Sequence, residues 1–155
     1  MAILCAGCGP SKIYVDTDSV PGIGGIVRFP SGEITPIGVK RVVDGETLLL
    51  TNKETVRYIG VYIPDIYNIP KRAKDLNESL AHSDEMRFEF DVRQRDEKGN
   101  LLAYAYLPDG RMINIELVRQ GLAQSLIIPP NEKYGAKFKQ AQAEAQKNKL
   151  GIWQE

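Results

Sequence analysis

From about Ile34 onward, apolar residues recur in short runs separated by turn residues. ITPIGVKRVV and TLLL flank Asp44-Gly45, a dipeptide whose residues both tolerate positive φ and so favour a tight hairpin. TVRYIGVYI follows a second turn at Asn52 to Glu54, and the three runs predict three antiparallel strands in series. The period then lengthens. Ile69, Ala73, Leu76 and Leu80 recur at helical spacing and lay one apolar stripe along a predicted helix. Met86, Phe88, Phe90 and Val92 return to alternation with charged residues, which predicts a half-buried strand. EKGN is the next turn, LLAYAYL the next strand, and PDG another turn. A short helix through INIELVRQ stops at Gly121, a residue suited to the left-handed position. The last helix is predicted after Pro129-Pro130, with Asn131 as its cap, and runs to about Lys149. Tyr134, Phe138, Ala141 and Ala145 form its inner face, Gly151 ends it, and Trp153 folds back on the core.

Three strands, a helix, two strands and two helices describe a mainly β chain with α elements. The fold class predicted is a five-stranded OB-type barrel with three helices, whose curved face commonly binds strands of nucleic acid. A chain of 155 residues with 43% hydrophobic residues is large enough for one such core. The domain is assigned to residues 33–155, and residues 1–32 to an N-terminal extension rich in Gly, Pro, Ser and Asp, with a short strand at Gly25 to Phe29.

The extension begins MAILCAGCGPSK, where Ala6 and Gly7 lead into Cys8 in the order that precedes the lipidated cysteine of a bacterial lipoprotein. The apolar stretch is short and no basic segment precedes it. Either the chain is an exported, membrane-anchored lipoprotein with a truncated signal, or the likeness is accidental and the chain is soluble. No run is long enough to cross a bilayer as a helix. Cys5 and Cys8 are the only cysteines and His82 the only histidine, too few ligands for a structural zinc site. Twenty basic residues balance twenty acidic ones, so no strong overall field draws polyanions, and any such attraction must be local.

DGETLLL, VRYIGVYIPD, FEFDVRQRDEKGNLLAYAYLPDGRMINIELVRQGLA and AEAQKNKLGIW together resemble the staphylococcal nuclease (thermonuclease) family in order and spacing, over residues 36–155. The resemblance implies a site where calcium lies beside a scissile phosphate, a glutamate directs the attacking water and two arginines bind the phosphate. Metal and guanidinium groups there offset charge growing on the phosphoryl oxygens. On that resemblance Arg57 falls on the first arginine, Asp65 on the catalytic glutamate and Glu46 on the first metal aspartate. Tyr62 falls on the second metal aspartate and Asn100 on the second arginine, so Glu46, the Ile63 carbonyl and water are left to bind calcium, weakly. Arg93 and Arg95 are the neighbouring candidates for the missing guanidinium. The family's nucleotide-packing tyrosines are replaced by Ile127 and Ile128.

Two readings follow for each position. Arg57 is either a phosphate clamp or half of a structural ion pair with Glu46 or Asp65; Glu46 and Asp65 either share a cavity or are solvated strand-end residues. Asp44 serves the turn, Tyr104 and Tyr106 favour sheet packing, His82 a surface position, and Lys133, Lys137, Lys139, Lys147 and Lys149 a solvated face. For the whole chain the expectation is a monomer with a degenerate phosphodiester-cleaving site, a weak or inactive nuclease binding single-stranded nucleic acid, a nucleotide or a protein. The alternative is an active calcium-dependent nuclease acting on DNA or RNA.

Overall fold

A computed structural model describes residues 35–82 and 86–154, with side chains from Gly38 onward. The predicted extension, its strand and its Cys5/Cys8 pair lie outside the described residues. The elements are β1 (Thr35–Ile37), β2 (Val39–Val42), β3 (Thr47–Leu50), β4 (Thr55–Tyr58), β5 (Gly60–Tyr62), α1 (Ile69–Leu80), β6 (Met86–Arg95), β7 (Leu101–Tyr106), α2 (Ile113–Arg119), β8 (Gln124–Leu126) and α3 (Gly135–Lys147), then a 3₁₀ turn at Gly151–Trp153.

Six strands form one sheet in the order β1, β6, β7, β4, β3, β2, antiparallel except where β4 meets β7. The two outermost strands, β1 and β2, are separated in the chain by Gly38 alone. A sheet whose opposite edges are consecutive in sequence has to curl until those edges meet, which is the closure of an OB-type barrel. The five predicted strands are therefore present, but two runs are divided. ITPIGVKRVV breaks at Gly38 to serve both edges. TVRYIGVYI breaks after Tyr58, because Gly60 takes φ +79° with the Phe138 ring packed against its Cα. The chain then leaves the main sheet, and β5 pairs with β8, a short polar strand that the apolar pattern does not announce.

Leu48, Leu50, Val56, Phe88, Ile113 and Phe138 are among the side chains closed off from solvent at the centre. α1 buries Ile69 and Ala73 as its spacing predicts, and Asn77 with them. β6 departs from strict alternation. A register shift between Phe90 and Arg95 accompanies an outward Val92, 68% exposed, and ahead of the shift Glu89, in register opposite Tyr104, is buried. Glu89 is not left bare: Tyr106 and Tyr134 hydroxyls donate to it at 3.0 and 2.8 Å, and Lys133 forms an ion pair with it. Lys133 is thus a partner of a buried carboxylate, not a member of a freely solvated face.

The last helix starts later than predicted, at Gly135, and Asn131 does not cap it. Asn131 is buried instead, and its amide grips the backbone of Arg93 on β6 from both sides. After α3 the chain passes so close to the turn following α2 that Gly121 and Gly151 touch backbone to backbone. A Cβ on Gly151 would lie 1.9 Å from the Gly121 oxygen, and Ile152 N–H donates to that oxygen at 2.8 Å.

Candidate functional site

The Asp44-Gly45 turn places Glu46. Asp44 Oδ1 accepts the Glu46 N–H at 2.9 Å, and the N–H groups of Val43 and Asp44 both donate to the Thr47 carbonyl. From behind, Asn77 Nδ2 donates to the Asp44 carbonyl at 3.0 Å while its Oδ1 accepts the Tyr58 hydroxyl at 2.7 Å. Asp44 and the buried face of α1 therefore hold the hairpin. Antiparallel pairing sets Thr47 opposite Arg57, which brings the Arg57 guanidinium to the Glu46 carboxylate.

Arg57 Nε and Nη2 both donate to Glu46 Oε1, at 3.2 and 3.0 Å. Of the two anions considered for Arg57, Glu46 is the one that meets it. Asp65 is exposed and makes no hydrogen bond or ion pair among the described residues. Burial raises the Glu46 pKa above its ordinary 4.5; the Arg57 charge and hydrogen bonds, with the Ile63 backbone, offset only part of that. Glu46 Oε2 is buried and accepts no hydrogen bond.

Such an orphan oxygen suits a cation, but the rest of a cage is thin. Calcium takes roughly six to eight oxygens. Tyr62 projects a half-exposed phenol, and among the described residues no three Asp, Glu, His or Cys side chains converge. Ile63 faces Glu46 with its backbone N–H, which is no cation ligand, and one carboxylate oxygen alone does not fit a caged calcium ion.

On the other side of Arg57, β4 runs parallel to β7 with Arg57 beside Leu102, so the turn before β7 stands next to the guanidinium. Asn100 lies in that turn with its amide committed: Nδ2 donates to Asp96 Oδ2 at 2.9 Å, and its N–H donates to Oδ1. Burial pushes the Asp96 pKa up, but the bonds from Asn100 and Lys98 and the nearby Arg57 charge outweigh it and hold the carboxyl below its usual range. Arg95 is also committed, with two bonds to Glu54 and one to the Gly99 carbonyl.

A groove of about 290 Å³ opens beside Arg57, with Arg93, Lys98 and Asp96 on its polar side and Leu126 and Ile128 on its apolar side. The apolar wall is thus formed by Leu126 and Ile128, 44% and 57% exposed, while Ile127 turns inward against the core. Ile127 and Ile128 follow directly on β8, a strand that had no signature in the sequence. The tyrosines of β7 do not line the groove: Tyr104 is buried with its hydroxyl on Asp91, and Tyr106 is bound to Glu89. His82 is exposed, as its isolation predicts.

A curled OB-type barrel carrying a guanidinium-lined groove defines a small domain of the nuclease-like kind. The family model for the staphylococcal nuclease homologue matches residues 55–155, and the chain belongs to that family. It is 39% identical over 126 residues to the thermonuclease of Staphylococcus intermedius, covering 75% of this chain and 74% of that protein. It is 35% identical over 125 residues to the thermonuclease of Staphylococcus hyicus, covering 74% and 73%. The prophage-derived endonuclease YokF of Bacillus subtilis is 35% identical over 133 residues, which are 78% of this chain but only 45% of that endonuclease. No helix among the described residues is long and apolar enough to cross a membrane.

Proposed function

We propose that this chain is a nucleic-acid-binding member of the family whose phosphodiester cleavage is weak or absent. The observation that carries the reading is the commitment of Asn100 to Asp96, which leaves the position beside Arg57 without a second guanidinium. Loss of one charge-stabilising arginine in phosphoryl transfer costs about a thousandfold or more in rate. Tyr62 in place of a carboxylate removes a metal ligand as well. Arg57 binds a backbone phosphate; Glu46, in the same ion pair, is its resident competitor; Asp65 is the one carboxylate left to direct water.

The competing reading, a calcium-dependent nuclease, draws support from the unpartnered Glu46 oxygen. Incubation with denatured DNA and with RNA, in calcium or in chelator, separates the two. The expected result is cleavage at or near background in both conditions, with oligonucleotide binding that Arg57→Ala abolishes. Rapid calcium-dependent cleavage that the same substitution removes would establish the nuclease.

Binding should also depend on pH through Glu46. Its folded pKa is raised, so it gains a proton as pH falls through a value above 4.5, and the neutral acid releases Arg57 to phosphate. Affinity for oligothymidylate is expected to rise as pH falls from about 8 to about 4.5, where a carboxyl with a raised pKa is more than half protonated, and Glu46→Gln should show the higher affinity throughout. The stability sign is consistent: a carboxyl with a raised folded pKa contributes most below its unfolded value and loses that contribution as pH rises through the folded one. A flat profile, or no gain in Glu46→Gln, would refute the competition.

A further inference from the structure

We propose that Arg93 is a second phosphate-binding guanidinium of the groove, so that a nucleic-acid backbone spans Arg57 and Arg93 with a base or sugar against Leu126 and Ile128. This rests on the groove being a nucleic-acid site, and adds to that reading a residue and a binding direction.

Arg93 lines the same groove as Arg57. Unlike several other arginines of the domain, it is not neutralised. Arg95 pairs with Glu54, and Arg119 with Glu116 and Glu144, whereas Arg93 forms no ion pair among the described residues. Its Nε donates to the Arg95 carbonyl at 3.0 Å, which leaves both terminal nitrogens uncommitted. A guanidinium anchored at Nε with its fork open has the shape that two phosphate oxygens fill together.

The backbone below it is fixed as well. The buried Asn131 accepts the Arg93 N–H at 2.8 Å and donates to the Arg93 carbonyl at 2.7 Å. These bonds hold the irregular stretch of β6 against the Pro129-Pro130 segment, which forms part of the groove wall. Asn131 is therefore a positioning residue for Arg93. Because the side chain is already tethered at two levels, little freedom is lost when it meets an anion. Three cationic side chains, Arg57, Arg93 and Lys98, face two carboxylates, Asp96 and Glu97, around the groove. The surplus charge is small, so phosphate contacts have to come from these individual groups and not from a broad field.

Fluorescence anisotropy with a short single-stranded oligonucleotide, in chelator and over a range of salt, tests the assignment on the full chain. Arg93→Ala is expected to weaken binding about tenfold and to reduce the slope of log affinity against log salt by about 0.7, the value for one lost phosphate contact on a single strand. Arg93→Lys should keep the slope but not the affinity. Lys139→Ala, on the exposed face of α3, serves as the control for general charge. Arg93→Ala within twofold of the parent, while Arg57→Ala loses binding, would overturn the assignment and leave the groove reading standing. An equal loss in Lys139→Ala, or full affinity in Arg93→Lys, would overturn it too. A parent chain that binds no oligonucleotide would overturn both readings together.

Discussion

The double variant Tyr62→Asp with Asn100→Arg is expected to cleave denatured DNA in calcium roughly a thousandfold faster than the parent chain. Both changes act where the structure leaves room for them. Residue 62 immediately precedes Ile63, whose backbone already approaches Glu46, so a carboxylate there would join the unpartnered Glu46 oxygen as a second metal ligand. Residue 100 lies in the turn whose Asp96 carboxylate senses the Arg57 charge, so a guanidinium introduced there would address the same phosphate. Asp96 would lose the Asn100 amide but keep the backbone N–H groups of Lys98 and residue 100. Each single change supplies one element without the other, and neither alone should approach the pair. The measurement is release of acid-soluble nucleotides, with Arg57→Ala added to the double variant as the control that must remove the gain. A folded double variant with no gain would mean that these positions do not share one phosphate.

Asn114→Ala is expected to cost about 3–5 kcal/mol of stability, a large part of what a domain of this size possesses. Asn114 is wholly buried near the start of α2. Its Oδ1 accepts the Ala105 N–H at 2.9 Å, and its Nδ2 donates to the carbonyls of Ile59 at 2.9 Å and Ala103 at 3.1 Å. One amide thereby satisfies three backbone groups at the place where β4 turns away into β5. Alanine would strand the Ala105 N–H and the Ile59 carbonyl out of reach of water, at about 1–3 kcal/mol each before relaxation, while the Ala103 carbonyl keeps the Ile59 N–H at 3.0 Å. Urea denaturation of parent and variant measures the difference, and a loss below about 1 kcal/mol would show that water or a local shift replaces the side chain.

Much of this arrangement is written in local pattern. Asp44-Gly45 announces the hairpin, although neither residue takes positive φ and the turn is made by the Asp44 carboxylate and the close packing of Gly45 on Ala73. The spacing of Ile69, Ala73, Leu76 and Leu80 announces α1, because helical period acts over a few residues. What is not legible depends on partners far along the chain. The break after Tyr58 follows from Phe138 pressing on Gly60, and Val92 turns outward where β6 slips its register against β7. Asn131 reads as a helix cap because it follows two prolines, yet its amide finds the free backbone of Arg93. At the site, the Arg57–Glu46 pair is foreseeable from an arginine inside an apolar strand. The groove wall is not, since Leu126 is placed by the pairing of β8 with β5, and Ile128 by a bridge to Asn131. Arg93 and Arg95 cannot be told apart from sequence alone; Glu54 decides the matter by capturing Arg95.

The contact of Gly121 with Gly151 has a consequence for the order in which the molecule is completed. β8 begins three residues after Gly121, whose carbonyl is held by Ile152, so one rim of the groove is secured by residues made long after the hairpin bearing Glu46 and Arg57. During synthesis, which proceeds from the N-terminal side, the charged pair can form before its surrounding wall is pinned. A nascent chain would thus display its anion-seeking arginine early, guarded only by the glutamate beside it.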